Sequence, residues 1–85
     1  MKLRLLYLAR LREAFGSSGE EVQLPDSVAN VGDLLEWLQM RGGAYRHELA
    51  VGRAYRVAVN QAMATAVTSL ADGDEVAIFP PVTGG

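Results

Sequence analysis

Eighty-five residues, 49% of them apolar, carry a formal charge of −2 and no cysteine, which describes one small domain with a single core. That balance gives no electrostatic case for nucleic acid, which needs a clustered basic face, and the missing thiols exclude disulfides, thiolate metal sites and cysteine nucleophiles on this chain. No apolar run approaches the roughly 18 residues of a membrane span; Met1-Lys2-Leu3-Arg4-Leu5-Leu6 has neither a long apolar stretch nor a cleavage site, so no signal peptide is expected and the cytoplasm is the expected compartment.

Lys2 to Ala9 reads as a strand, with Leu3, Leu5 and Tyr7 on one face and Lys2, Arg4, Leu6 and Leu8 on the other. The second face begins charged and ends apolar, which is unusual for a face that meets only water. Arg10 to Phe15 has the composition of a short helical turn, closed by Gly16-Ser17-Ser18-Gly19. Glu20 to Leu24 follows as a short strand ended by Pro25-Asp26-Ser27, and pairs with the first strand as a hairpin with a wide connection.

Val31 to Arg41 carries the strongest helical signal. Val31, Leu34, Leu35 and Leu38 repeat at i, i+3, i+4 and i+7 and draw one apolar stripe. Asn30 suits the N-cap, Asp33 completes a capping-box pattern with Asp in place of Glu, Arg41 falls in the last turn, and Gly42 suits a left-handed stop. Trp37 flanks the stripe as a packing residue. Ala44 to Arg53 has weak periodicity and reads as a loop with a helical turn; its His47, the only histidine, has no Cys or second His nearby and reads as a surface residue.

Tyr55 to Val59 alternates Tyr55, Val57 and Val59 against Arg56 and Ala58, as a strand does. Asn60-Gln61 turns tightly into a short strand around Ala62 to Ala64. Leu70 anchors a loop, Asp72-Gly73-Asp74 is turn chemistry, and Glu75 to Phe79 is the last strand. The order β-β-α-β-β-β predicts an α+β fold of the β-grasp, ubiquitin-like kind. In it a mixed sheet of four to five strands carries one main helix on one face, and the first and last strands pair in parallel at the sheet centre. Residues 1–79 form the expected domain and 80–85 an extended tail.

No catalytic constellation emerges. The chain has no Walker A loop, no G-x-G-x-x-G and no paired-carboxylate or Ser–His arrangement. Asp72, Asp74 and Glu75 read as a solvated turn, because a hard-cation site needs more oxygen ligands around it; no metal is expected. The tail is distinctive instead. Pro80-Pro81 cannot continue a sheet ladder and favours a stiff, extended path, and six residues from Pro80 reach at most about 20 Å. Gly84 and Gly85 lack side chains, so a narrow tunnel could admit them and bring the α-carboxylate of Gly85 to an active site. A carboxylate is a poor acyl donor until activated, for example as an acyl-adenylate.

Val57-Ala58-Val59-Asn60-Gln61 and the block from Leu70 to Gly85, above all Phe79-Pro80-Pro81-Val82-Thr83-Gly84-Gly85, resemble the small, sulfur-carrying subunit of molybdopterin synthase. Leu8-Ala9-Arg10-Leu11-Arg12-Glu13 is similar to that family's first strand-to-helix segment. The resemblance implies a carrier that itself binds no cofactor. A partner enzyme would use ATP to adenylate Gly85, and a sulfur donor protein would convert it to a thiocarboxylate. The tail would then enter the large subunit, which supplies the catalytic side chains, and pass its sulfur to cyclic pyranopterin monophosphate. Two carriers in turn would build the dithiolene that binds molybdenum, within a heterotetramer of two large and two small subunits. Gly85 would bear the sulfur and Gly84 would be its steric companion.

The open sheet face is expected to carry Leu6, Leu8, Met63, Ala77 and Phe79 as an apolar patch near the base of the tail, and contiguous apolar surface marks protein interfaces. With Pro80, Pro81, Val82 and Thr83 it would dock the large subunit and the adenylating enzyme, one at a time. Two alternatives remain open: a sulfur carrier for thiamine or tRNA thiolation, and a ubiquitin-like protein modifier.

Overall fold

A computed structural model describes residues 1–81; Val82, Thr83, Gly84 and Gly85, with the roles expected of them, lie outside the described residues. The elements in chain order are β1 (Lys2–Tyr7), α1 (Arg10–Phe15), β2 (Gly19–Gln23), α2 (Val31–Gln39), α3 (Gly43–Glu48), β3 (Arg56–Val59), β4 (Ala62–Met63) and β5 (Glu75–Phe79).

The alternation in β1 does what its side chains dictate. Leu3, Leu5 and Tyr7 are fully buried, while Lys2, Arg4 and Leu6 take the other face. Five strands make one mixed sheet in the order β2-β1-β5-β3-β4. β1 and β5 pair in parallel at its centre, and every other pairing is antiparallel. Asn60 and Gln61, at φ 49° and 70°, form the two-residue turn from β3 to β4; positive φ at both positions matches the twist of the flanking strands.

α2 buries Val31, Leu34 and Leu38 against the inner sheet face, where Leu5, Tyr7, Val57, Val76 and Ile78 complete the core. Each such side chain contributes about 2 kcal/mol on leaving water. The Asn30 side chain accepts the Asp33 N–H at 2.8 Å, as its N-cap role requires. The return bond lands one residue early, since the Asp33 carboxylate accepts the N–H of Ala29 at 3.0 Å rather than that of Asn30.

Three details differ from the sequence expectation. α2 ends at Gln39, so Arg41 lies beyond its last turn and binds Glu20 of β2. Gly42, at φ 76° and ψ −165°, is not a left-handed stop but the N-cap of α3, because the chain turns directly from one helix into the next. The helical turn expected within 44–53 is a six-residue helix that starts one residue earlier, at Gly43, and docks on α1 through Phe15 stacked on Tyr45 with ring centroids 4.3 Å apart, while 49–53 is loop. Its apolar periodicity is weak because only Leu49 at its end is driven fully inward.

Candidate docking face at the base of the tail

The outer sheet face is set by register. Leu6 on β1 stands opposite Gly19 on β2 and Ala77 on β5; Ala77 stands opposite Ala58 on β3, and Ala58 opposite Met63 on β4. One row of apolar or small residues therefore crosses all five strands, about 19 Å at ordinary strand spacing. A second row lies nearer the end of β5. The Leu8 N–H donates to the Ile78 carbonyl at 3.1 Å, which sets Leu8 beside Phe79, and Phe79 stands opposite Arg56. On the other side of the apolar row, Arg4 stands between Glu21 and Glu75 and closes the patch with charge.

No element covers this face among the described residues. Met63 is 64% and Leu8 46% exposed, while Leu6, Ala77 and Phe79 are half-buried. The five expected patch residues are thus brought together, and the charged-to-apolar gradient along β1 is the gradient of this surface. Two further residues shape it. A Cβ on Gly19 would lie 2.4 Å from the Leu5 carbonyl oxygen and 3.3 Å from a Leu6 methyl, so only glycine lets β2 pass so close to Leu6. Ala58, 8% exposed, is small enough to keep the row flat between Ala77 and Met63. The sequence alternation places Ala58 outward, but no sequence signal marks the approach at Gly19.

β5 stops at Phe79 because Pro80 has no N–H to extend the ladder. Pro80 and Pro81 are half-buried, and the chain leaves the sheet here, at the end of the parallel pair and next to the Leu8–Phe79 row. Ala9, where β1 gives way to α1, has φ 53° and ψ −129°, a region L side chains seldom enter.

Several polar side chains elsewhere are committed to structure. The Tyr7 hydroxyl donates to Glu20 at 2.7 Å, and Arg41 grips the same carboxylate at 2.8 and 3.0 Å while lying over the rings of Trp37 and Tyr45. Burial, and then the Glu20 carboxylate, push the Tyr7 hydroxyl far above its ordinary value. The Arg41 hydrogen bonds hold Glu20 below the usual carboxylate range. Glu48 on α3 is buried and accepts from Arg10 at 2.9 Å and Arg53 at 3.2 Å; the Arg10 bond is the chief reason its carboxyl is also held low. His47 is exposed, as expected. Asp72 accepts the Lys2 N–H at 2.7 Å, and Asp74 accepts from Asn60 and Ala71 at 2.9 and 2.8 Å, so these acids build the turn. Among the described residues no group of acids and histidines is placed to hold a metal ion, and no helix is long and apolar enough to cross a membrane.

A mixed sheet with its first and last strands parallel at the centre, a helix across one face and an apolar opposite face is the β-grasp arrangement of ubiquitin-like proteins. The chain belongs to the ThiS family, whose sequence pattern matches residues 5–85. It is 36% identical to the molybdopterin synthase sulfur carrier subunit of Haemophilus influenzae over 98% of this chain and 99% of that protein. Among solved structures, SAMP1 of Haloferax volcanii superposes with a TM-score of 0.79 at 31% identity, covering both chains in full. A chain from a complex of subunits 1 and 2 of the molybdopterin-converting factor of Helicobacter pylori gives a TM-score of 0.69 at 20% identity, also over the full length of both, and attests the fold alone.

Proposed function

We propose that the chain is the sulfur carrier of a molybdopterin synthase, with Gly85 as its one reactive residue. The reading is carried by the apolar face that converges on the exit of the tail, together with kinship across nearly the full length to sulfur carrier subunits. In the proposed cycle an adenylating enzyme binds this face and takes the tail. The Gly85 carboxylate attacks the α-phosphorus of ATP and expels pyrophosphate. Sulfur delivered at the sulfide level by a donor protein then displaces AMP and leaves a thiocarboxylate.

The same face next docks the large subunit. The sulfur passes to cyclic pyranopterin monophosphate, and water restores the Gly85 carboxylate. The described part of the chain supplies rigidity and docking area, and the large subunit supplies the catalytic side chains. Pro80-Pro81 gives the tail a stiff start, which lowers the ordering cost of threading it into a cleft.

Intact mass tests the reading. After incubation with ATP, the adenylating enzyme and a sulfur source, the mass should rise by the difference between one sulfur and one oxygen. Removal of Gly84 and Gly85 should abolish the shift, and an unchanged wild-type mass would refute the carrier role. The likeness to SAMP1, a small archaeal modifier protein, favours a second reading, attachment through Gly85 to protein amines. Covalent adducts on a denaturing gel would support it.

A further inference from the structure

Charge is divided along the sheet axis. β1 and β5 are parallel, so both finish at the end where the tail leaves; α1 begins there, and α3 packs on α1. Segments 8–15 and 44–56 build this end and carry Arg10, Arg12, Arg46, Arg53 and Arg56 against Glu13 and Glu48 alone. Glu48 is taken up by Arg10 and Arg53. Arg12, Arg46 and Arg56 are exposed and make no ion pair among the described residues; Arg56 reaches only the Tyr55 carbonyl at 3.4 Å.

The opposite end is acidic. Asp72, Asp74 and Glu75 surround the start of β5, and Asp72 binds the Lys2 N–H. Asp26 and Asp33 are brought to the same end by backbone bonds from Leu24 to Met1 and from Leu70 to Ala29. The Glu20–Arg41 pair is internally neutral. A molecule of net negative charge thus presents its tail from its one positive end.

We propose that Arg12, Arg46 and Arg56 form an electrostatic collar that docks on a carboxylate-rimmed cleft in the adenylating enzyme, and that the charge separation turns the carrier tail-first on approach. This rests on the carrier reading above. The three arginines sit on three separate elements, α1, α3 and β3, and share no hydrogen-bond partner among the described residues, which suits the rim of a protein cleft better than a single phosphate. A guanidinium offers a planar fork of donors that matches a carboxylate. Separated exposed charges add orientation and encounter rate, while the Leu8–Phe79 row supplies the buried area.

The test measures association of the full chain with the adenylating enzyme, and adenylate formation, from about 50 mM to about 500 mM salt, where the screening length falls from roughly 14 Å to 4 Å. The association rate of wild type should fall about ten-fold or more over that range. The triple variant Arg12→Glu, Arg46→Glu, Arg56→Glu should associate at least about ten-fold more slowly at low salt and lose the salt dependence. A far-end variant, Lys2→Glu, should associate at nearly the wild-type rate. Circular dichroism should show all three folded, since none of these side chains is buried. Wild-type adenylate formed at a rate indifferent to salt and to the triple reversal would overturn the collar and leave the carrier reading standing. Equal slowing by the far-end variant would overturn it too. No adenylate from wild type under any condition would overturn the carrier reading, and the collar with it.

Discussion

Ala9 is the residue most at odds with its own backbone. Its φ of 53° and ψ of −129° suit glycine, yet it carries a methyl group on the surface beside Leu8. Such a conformation costs about 1–3 kcal/mol, whereas glycine would add about 0.5–1 kcal/mol of unfolded-chain entropy. Strain therefore outweighs entropy, and Ala9→Gly should raise the unfolding free energy by about 1 kcal/mol in chemical denaturation. Gly19 makes the opposite case. The atom that would meet its Cβ at 2.4 Å is a backbone oxygen of the central strand, which cannot rotate away. Gly19→Ala should cost about 2 kcal/mol or more, read as a lower denaturation midpoint at unchanged m-value.

Between elements, the helices at the tail end are held to the strand that follows them by one carboxylate. Glu48 joins α3 to Arg10 of α1 and to Arg53 of the loop leading to β3. Its folded-state pKa lies below the ordinary 4.5 because Arg10 and Arg53 favour the ionised form. The unfolded state therefore binds the proton first, and the stability from this lock is complete above about pH 5 and is lost as pH falls through the lowered value. Glu20 under Arg41 adds in the same direction. Glu48→Gln should lower stability at neutral pH by about 2 kcal/mol and reduce the acid-induced loss, as followed by thermal melts from pH 7 to about pH 3. This lock was not legible in the sequence, because its partners are 38 and 5 residues apart along the chain and no local pattern links them. Strands and the main helix were legible, since period-2 and period-3.6 burial are written in neighbouring residues such as Leu3, Leu5 and Tyr7. The end of α2 was not, because Arg41 is drawn to Glu20 across space.

At the scale of the whole molecule, one sheet face makes the core and the other remains apolar without a covering element among the described residues. Leu6, Leu8, Met63, Ala77 and Phe79 could be placed on that face from alternation alone, but their contiguity depends on the parallel register of β1 and β5, which only the fold supplies. Phe79→Asp should leave the melting temperature within a few degrees, since the side chain lies outside the core. It should weaken binding to the adenylating enzyme and the large subunit by about ten-fold or more, measured by calorimetry. Equal affinity for both would show that the face is not the docking surface. The parallel pairing has one further consequence. It sends the chain in at one end of the sheet and out at the other, so the Met1 amine, bound to the Leu24 carbonyl, and the exposed Lys2 ammonium lie about a strand's length from Pro80, on the order of 20 Å. These are the only amines that the chain's own side chains and amino terminus provide. A six-residue tail reaches about the same distance at full stretch and would have to double back along the sheet to touch them. In the proposed cycle an activated Gly85 would therefore meet its own amines only with the tail drawn back at full stretch, and the topology would favour acceptors that come from outside.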